Sequence, residues 1–331
     1  MRHVAALAGV GVKTVSRVIN GEANVSAATA AKVNQAAAQL HYELDVHAGN
    51  LKRLDRRSRT LGLLVGSVAN PFSGAVHRAV EDVAAARGVA VFASSMDDDA
   101  ARERLGVSAF LRRRVDGLIL TTATSGQAYL LPEQQRGTPL VFIDRAPIGI
   151  EADAILSDNR NGAARATRHL LERGHRSIAY IGDRHDLQTA RERRAGFLEE
   201  IGKAGIPTGE LSIVEDLHDE ESARTAVYRL LTGPNPPTAI FSSQNLVTVG
   251  AIRALRHQGL QRSVALVGFD DIQLGDLLDP AITVIAQNPA GIGELAAQRL
   301  FARLDGDTTP PRSHIVPTTL LIRGSGEILP A

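Results

Sequence analysis

The chain has 331 residues, of which 44% are hydrophobic, 22% are charged and none is cysteine. This length suits two or three folding units with a sizeable core, and the lack of cysteine excludes disulfide bonds and thiolate chemistry. No apolar run approaches the ~18–20 residues that span a bilayer, so we expect no membrane insertion and a cytoplasmic location.

Positive charge is concentrated at the amino-terminal end. The formal net charge is +1, but residues 1–60 carry nine Lys or Arg and four Asp or Glu. The remainder carries 28 basic and 32 acidic residues. A basic amino-terminal segment followed by a mildly acidic remainder indicates contact with nucleic-acid phosphates at the amino-terminal end only.

Residues 1–20 have the pattern of a helix-turn-helix. Apolar residues at helical spacing predict a first helix, Gly9 supplies a tight turn, and a second helix follows. The residues predicted to pack the two helices together are Val4, Ala5, Ala8, Val10, Val15 and Val18. In this motif the exposed start of the second helix enters the major groove of DNA, so the pattern predicts a DNA-reading element.

Three alternatives to DNA binding exist for these residues. An internal structural hairpin would use the same apolar face. A signal peptide is disfavoured because Lys13 and Arg17 interrupt the apolar run that follows Arg2. A nucleotide-binding glycine motif is disfavoured because Thr14 stands at the third glycine position and no strand precedes it.

The next segments complete the amino-terminal region. Ser26 is a candidate N-cap for a third helix over 26–40, with the apolar stripe Val25, Ala30, Val33, Ala37 and Leu40. Residues 43–53 predict a weak helix, in which Gly49 costs about 1 kcal/mol relative to alanine. We expect this segment to fold only against a partner. Residues 54–60 form a charged linker.

From Leu61 onward, short apolar runs alternate with amphipathic segments, which is typical of parallel sheets covered by helices. The predicted strands are 61–68, 89–94, 117–122, 139–144, 154–158, 177–182, 211–216, 238–243, 264–271 and 283–287. The predicted helices are 73–88, 101–114, 161–173, 190–204, 219–232, 246–259 and 289–305. Ten strands exceed one small sheet, so we predict an α/β fold with two doubly wound lobes, crossing over at 158–160, and a ligand cleft between them.

The chain resembles the lactose/galactose repressor (LacI–GalR) family over nearly its whole length. The segments that carry the resemblance are VAALAGVGVKTVSRVING, VSAATAAKV, LGLLVGSVANPF, RRVDGLIL, PLVFIDRAP, SDNRNGA, HLLERGHRSIAYIGD, RERRAGF, PTAIF, VALVGFDD and TTLLIRGSG. The resemblance implies an all-α helix-turn-helix domain and a hinge helix ahead of a two-lobed effector domain like a periplasmic sugar-binding protein.

From this resemblance we expect a sequence-specific transcriptional regulator. It would act as a homodimer on a pseudo-palindromic double-stranded DNA operator, with a tetramer left open, and would repress a sugar-utilisation operon. A small carbohydrate-like effector would control it as inducer or co-repressor. We expect no cofactor, no metal, no membrane contact and no enzymatic activity.

The resemblance also implies the domain boundaries. We expect a DNA-binding domain at 1–44, a hinge helix and linker at 45–59, and an effector-binding and dimerisation domain at 60–331. The lobes of that last domain are expected at about 60–159 with 288–317, and at about 160–287 with 318–331.

Carried over by position, five residues of the second helix are implied to contact DNA. Val12, Lys13 and Arg17 would face base edges, and the Arg17 guanidinium matches the two hydrogen-bond acceptors of guanine. Thr14 and Ser16 would bind phosphates and set the register.

The hinge carries a sixth implied DNA contact. Leu51 would wedge into the minor groove at the operator centre and bend the duplex. The alternative is a linker leucine that packs on its own domain. Leu44 stands where a hinge proline is common in the family.

The residues implied to bind the effector in the cleft are Asn70, Phe72, Asp144, Arg193, Gln244, Asp270 and Gln287. Carboxylates and amides suit the hydroxyls of a polyhydroxyl ligand, and Phe72 can cover an apolar sugar face. The alternatives are that Asp270-Asp271 caps a helix and that Asn70-Pro71 shapes a turn.

Other positions depart from the family pattern. Gly11 replaces the usual serine N-cap of the second helix. Gln244-Asn245 replaces the usual Asn-Asp, and His218 stands at a commonly aromatic position, so we expect a sugar-like effector that is no close copy of a known one. Because Met1 lies almost inside the first helix, we expect either that the true start lies upstream or that the first turn is truncated.

Two other classes of function compete with this interpretation. A periplasmic solute receptor is disfavoured by the lack of an export signal and by the helices that carry Arg17. A hydrolase is disfavoured because the sequence contains no GxSxG, HExxH or phosphate-loop motif.

Overall fold

The computed structural model describes residues 1–19, 25–42, 57–123 and 126–330. The chain divides into two compact units, residues 1–59 and 60–331. Most of the predicted hinge segment, including Leu51, lies outside the described residues, and so does the preceding Leu44.

Three short helices form the first unit: α1 (Arg2–Ala8), α2 (Val12–Ile19) and α3 (Ala27–Gln39). The first helix ends at Gly9, whose left-handed backbone has φ of 64°, a conformation that glycine adopts without steric cost. Ser26 caps α3 as predicted, because its side chain accepts a hydrogen bond from the Thr29 backbone N–H at 3.3 Å.

The core of the first unit is small. Its fully buried members are Val4, Ala5, Val15, Val33 and Ala36. The other residues predicted to pack α1 against α2 lie partly buried against this core: Ala8, Val10 and Val18. The prediction for Leu40 was wrong, since α3 ends one residue earlier and Leu40 is 43% exposed. Ala36, one turn before it, takes the inward position.

The second unit contains two six-stranded sheets. The strands of the first sheet are β1 (Thr60–Val65), β2 (Ala90–Ser95), β3 (Gly117–Leu120), β4 (Leu140–Ile143), β5 (Asp153–Ser157) and β11 (Ser313–Val316). Their order is β11-β5-β4-β3-β1-β2, and all neighbours are parallel. The helices that follow in this half are α4 (Pro71–Ala85), α5 (Ala100–Arg112), α6 (Leu131–Gln135) and α11 (Pro289–Leu304).

The second sheet repeats this plan. Its strands are β6 (Ile178–Ile181), β7 (Ile213–Val214), β8 (Ala239–Ser242), β9 (Ala265–Phe269), β10 (Thr283–Ala286) and β12 (Thr319–Leu321). Their order is β12-β10-β9-β8-β6-β7, with β12 antiparallel to β10 and the other pairs parallel. The helices are α7 (Asn159–Glu172), α8 (Gln188–Lys203), α9 (Glu220–Thr232) and α10 (Asn245–His257).

Helices cover both faces of each sheet because successive strand residues point to opposite sides. In β1, Leu61, Leu63 and Val65 pack in a cluster with α4 and α11, whereas Leu64 packs in a cluster with α5. The second sheet is buried in the same way, between α7 with α8 on one face and α9 with α10 on the other.

One glycine shows how closely the covering helices approach. A Cβ atom at Gly196 of α8 would overlap the Arg160 carbonyl oxygen of α7. The two backbones therefore meet at this point, which fixes the position of α8 and of the side chains it carries toward the strand ends.

All ten predicted strands exist, with ends that shift by a few residues. The segment 211–216 keeps only the two-residue β7. The prediction missed β11, β12 and the short α6. The chain passes from one sheet to the other after β5, after β10 and between β11 and β12, so three short crossings connect the halves.

Candidate functional site

The exposed face of α2 carries the residues predicted to contact DNA. Val12, Lys13 and Arg17 are exposed, and Thr14 and Ser16 are partly exposed. Since Val15 between them is fully buried in the core, the helix is held with these side chains outward. The sixth predicted contact, Leu51, lies outside the described residues.

A cavity of about 410 Å³ lies in the second unit, where the carboxyl ends of the strands of both sheets meet. The structure brings all seven residues predicted for the effector to its wall: Asn70, Phe72, Asp144, Arg193, Gln244, Asp270 and Gln287. Such a crevice outside the carboxyl ends of parallel strands is the usual ligand position in doubly wound folds.

Asn70 both caps a helix and reaches across the cavity. Its side-chain oxygen accepts a hydrogen bond from the Phe72 backbone N–H at 3.0 Å, which begins α4. The same oxygen accepts from the Asn245 side-chain amide at 2.8 Å. Since Asn245 begins α10, this amide pair links helix starts in the two halves of the unit.

Two largely buried carboxylates, Asp144 and Asp270, follow β4 and β9 in equivalent positions. Both have a left-handed backbone, with φ of 66° and 72°. Burial raises the pKa of each carboxyl above its usual range. The positive charges of Arg145 and Arg193 oppose that rise at Asp144, and the charge of Arg193 opposes it at Asp270. Two buried acceptors of this kind suit ligand groups that donate hydrogen bonds.

Arg193 reaches the cavity from α8 and is fixed by three contacts. Its Nε donates to the Asn159 side-chain oxygen and its guanidinium donates to the Ser243 carbonyl oxygen, both at 2.8 Å. The guanidinium also lies 3.9 Å from the ring centroid of Phe269. These contacts preorganise the side chain without a direct ion pair to either buried carboxylate.

The two glutamines contribute amides to the wall. Gln287, at a crossing between the sheets, donates from Nε2 to Asp270 at 2.6 Å and accepts a hydrogen bond from the Ser157 hydroxyl. Gln244 caps α10 by accepting from the Val247 backbone N–H at 3.0 Å. The side-chain amide of Gln287 thus orients the Asp270 carboxylate and connects the first sheet to the second.

The site predictions missed a second polar group in the wall. Arg145 donates to Asp98 at 2.6 Å, and His218 contacts Asp183 at 2.8 Å and Asp98 at 3.8 Å. The hydrogen bond to Asp183 is the main cause that raises the pKa of His218. A signal was present, since Asp98, Arg145 and Asp183 each follow closely behind a predicted strand.

Neither a metal site nor a membrane span emerges from the described ranges. No group of three His, Cys, Asp or Glu side chains there is arranged to hold a metal ion. No helix in the same ranges is long and apolar enough to cross a membrane.

Comparison with known proteins places both units. Residues 1–44 match the family described as bacterial regulatory proteins, lacI family, and residues 167–326 match a periplasmic binding protein-like domain. The ribose operon repressor of Haemophilus influenzae is 32% identical over 328 residues, which covers 98% of this chain and 98% of that repressor. The chain belongs to the LacI family.

Solved structures of other regulators are similar to this LacI-family chain. The Lac repressor dimer bound to operator and the anti-inducer ONPF superposes with a TM-score of 0.85 and 26% identity, covering 98% of this chain and 97% of that one. The Cra regulator from Pseudomonas putida, in complex with fructose 1-phosphate, has a TM-score of 0.73 and 27% identity, covering 80% and 98%.

Membership of the LacI family decides between a regulator, a hydrolase and a solute receptor. The family consists of transcriptional regulators and not enzymes, so the hydrolase alternative is wrong. The solute-receptor alternative is also wrong, because the chain carries the LacI-type DNA-binding region at residues 1–44.

Proposed function

We propose that this LacI-family regulator represses a sugar-utilisation operon from the cytoplasm as a homodimer on a pseudo-palindromic operator. The observation that carries the proposal is the presence, in one chain, of a helix-turn-helix with an exposed second helix and a cavity walled by carboxylates, amides and two arginines. The similarity to the Lac repressor dimer on its operator supports the DNA and the dimer. The similarity to a ribose operon repressor supports a sugar effector.

In this proposal α2 enters the major groove. Val12, Lys13 and Arg17 face base edges, where the Arg17 guanidinium reads a guanine through two hydrogen bonds. Thr14 and Ser16 bind phosphates and fix the register of the helix. Leu51 wedges into the minor groove between the two half-sites.

The effector binds in the 410 Å³ cavity. Asp144 and Asp270 accept hydrogen bonds from sugar hydroxyls, and Arg193 and the amides of Asn70, Gln244 and Gln287 complete the polar contacts. Phe72 covers an apolar face of the ring. Because the wall comes from both sheets, a bound sugar changes the relation between the two halves, and this change alters operator affinity.

Fluorescence anisotropy of the full-length chain with the DNA upstream of its own gene tests the proposal. A saturating sugar effector is expected to change operator affinity by roughly 5–150-fold, the usual range of coupling. Operator binding that stays the same with every sugar of a broad panel contradicts the effector part of the proposal. Absence of specific binding at low salt contradicts the whole.

The reading role of Arg17 has its own test. Arg17→Ala is expected to weaken operator binding by about 1–3 kcal/mol, roughly 5–150-fold, with a smaller loss on unrelated DNA. Arg78→Ala is the matched control, because Arg78 is an exposed arginine on α4 that pairs with Asp82. Equal losses on operator and unrelated DNA would show that Arg17 contacts phosphate only.

A further inference from the structure

Exposed arginines cluster at the amino end of the first sheet, which is the end opposite to the effector cavity. We call this cluster the basic end; it consists of Arg59, which precedes β1, and of Arg112, Arg113 and Arg114, which lie between α5 and β3. The two segments are neighbours because β1 pairs with β3. In addition, the Asp116 backbone N–H donates to the Thr60 carbonyl oxygen at 2.8 Å.

The charge of the basic end is not balanced by carboxylates. The segments 57–60 and 110–118 contain a single acidic residue, Asp116. Among the described residues, no carboxylate forms an ion pair with the three arginines that follow α5, and two of those arginines donate instead to neutral oxygens of their own helix. The arginines near the ends of α4 and α11 differ, since Arg87 pairs with Asp305 at 2.8 Å and Arg303 pairs with Asp153 at 2.7 Å.

The backbone of the basic end is strained. Arg59 and Arg114 both have a left-handed conformation, with φ of 55° at each. Five other helices place a glycine of positive φ at the position that Arg114 occupies after α5, two residues beyond the last helical residue: Gly137, Gly174, Gly205, Gly259 and Gly306. A glycine adopts this conformation without steric cost, whereas an arginine does not.

Strain of this kind is concentrated at functional sites. Four other non-glycine residues of positive φ line the effector cavity: Asp97, Asp98, Asp144 and Asp270. Arg59 and Arg114 form a second group, at the opposite end of the first sheet. The use of arginine where glycine is the less strained residue therefore indicates a role for the side chain at position 114.

The position of the basic end in the chain indicates its partner. The DNA-binding unit ends at Arg59, and the effector unit begins with β1 at Thr60. The chain that carries the operator-reading helix therefore joins the effector unit at this end of the sheet. Duplex DNA is the polyanion that this unit binds, and it carries one negative charge per about 1.7 Å of helix axis.

On the basis of the proposed operator-binding function, we infer that the basic end is a second DNA contact, in which Arg113 and Arg114 of the effector unit bind phosphates of the operator duplex. The guanidinium group suits a phosphate because it can donate two parallel hydrogen bonds. Such a contact adds affinity without reading the base sequence.

The salt dependence of operator binding by the full-length chain tests this inference. Fluorescence anisotropy gives the affinity for the DNA upstream of the gene between about 50 and 200 mM KCl, where phosphate contacts have a strong effect. The variant Arg113→Ala/Arg114→Gly loses two proposed contacts in each protomer of the dimer. We expect its slope of log K against log salt concentration to fall in magnitude by roughly 3 to 4, and its affinity at the lowest salt concentration to fall by roughly tenfold or more. Unrelated DNA should show the same loss, because phosphates carry no sequence information.

Single substitutions at Arg114 separate a DNA contact from a structural role. Since glycine relieves the left-handed strain, Arg114→Gly is expected to keep or raise the melting temperature while it weakens operator binding. Arg114→Lys keeps the charge and should retain most of the salt slope. Arg176→Ala is the matched control for loss of an exposed positive charge, because Arg176 is exposed before β6 in the second sheet.

Each other outcome contradicts the inference in its own way. A double variant with the affinity and salt slope of the unaltered chain shows that the basic end does not touch DNA, and the proposed repressor function stands. A lower affinity with an unchanged slope assigns the basic end to a protein contact. An equal loss of slope in Arg176→Ala shows a general effect of net charge. If the unaltered chain binds no DNA, the proposed function fails together with the inference.

Discussion

The DNA-binding unit, residues 1–59, and the effector unit, residues 60–331, are built on different scales. The first rests on five buried apolar residues from three helices. The second has a cluster of sixteen buried residues on one face of one sheet, and three further clusters of comparable kind. A small core leaves little free energy of folding in reserve. The operator-reading helix is therefore the vulnerable part, and the effector unit is a robust scaffold that can hold buried charge.

The largest expected effect is a loss of sugar affinity in the effector unit. Arg193→Gln removes the main positive charge that opposes the raised pKa of Asp270, and one of two such charges, beside Arg145, at Asp144. We expect sugar affinity to fall more than 100-fold, since a buried charged donor is lost beside two carboxylates. Titration calorimetry measures the loss, and anisotropy without sugar is expected to show unchanged operator affinity.

The neighbouring residue provides the control for this substitution. Arg194 pairs with Glu215 at 3.1 Å and does not line the cavity. Arg194→Gln is therefore expected to retain sugar binding. A variant Arg193→Gln with the sugar affinity of the unaltered chain would remove Arg193 from the proposed site.

The same truncation of a buried valine in each unit tests whether the two units differ in folding stability. Val15 in the first unit and Val80 in the second are both fully buried. Replacing either by alanine is expected to cost about 2 kcal/mol. In the DNA-binding unit this is a large share of the stability, so Val15→Ala should weaken operator binding while sugar binding stays the same.

Val80→Ala is the counterpart. The effector unit should absorb the same cost, with a lower melting temperature but unchanged sugar affinity at 25 °C. Thermal unfolding followed by circular dichroism, together with both binding assays, separates the outcomes. If Val15→Ala binds the operator as tightly at 25 °C as Val80→Ala does, the two units tolerate the same loss of folding free energy. That result would contradict the proposed difference between them.

A feature can be predicted from the sequence when the interactions that determine it lie between residues close together in the chain. The predicted turn at Gly9, the predicted cap at Ser26 and the ten predicted strands all depend on residue spacing and turn chemistry within a few residues. The edge strand β11 was missed because its residues are largely exposed, so no apolar run marks it. The edge strand β12, Thr319–Leu321, is too short to show a pattern.

The cavity shows the same limit. Family resemblance was enough to select the seven residues that the structure places in its wall. Asp98 and Asp183 were missed because each is an ordinary loop aspartate in its own segment. Only the order of strands in two separate sheets brings them to His218. The cluster depends on tertiary structure: a position just behind a predicted strand indicates the edge of a sheet, but it does not indicate which side chains meet there.

The smallest expected effect is a pH dependence confined to the effector unit. The hydrogen bond to Asp183 raises the pKa of His218 in the folded chain, so folding is favoured most when the imidazole is protonated. This contribution is complete below the ordinary histidine pKa of about 6.5 and is lost as pH rises through the raised folded value.

His218→Gln removes this contribution, and the difference in free energy of unfolding between the two proteins measures it. We expect the unaltered chain to lose its advantage as the pH rises from about 6.5 through the raised folded pKa. The loss should be less than about 1 kcal/mol because the side chain is 45% exposed to solvent. His185 also has a raised pKa beside Asp216, but it is present in both proteins and cancels in the difference. An advantage that grows with pH would contradict a charged His218 between Asp183 and Asp98.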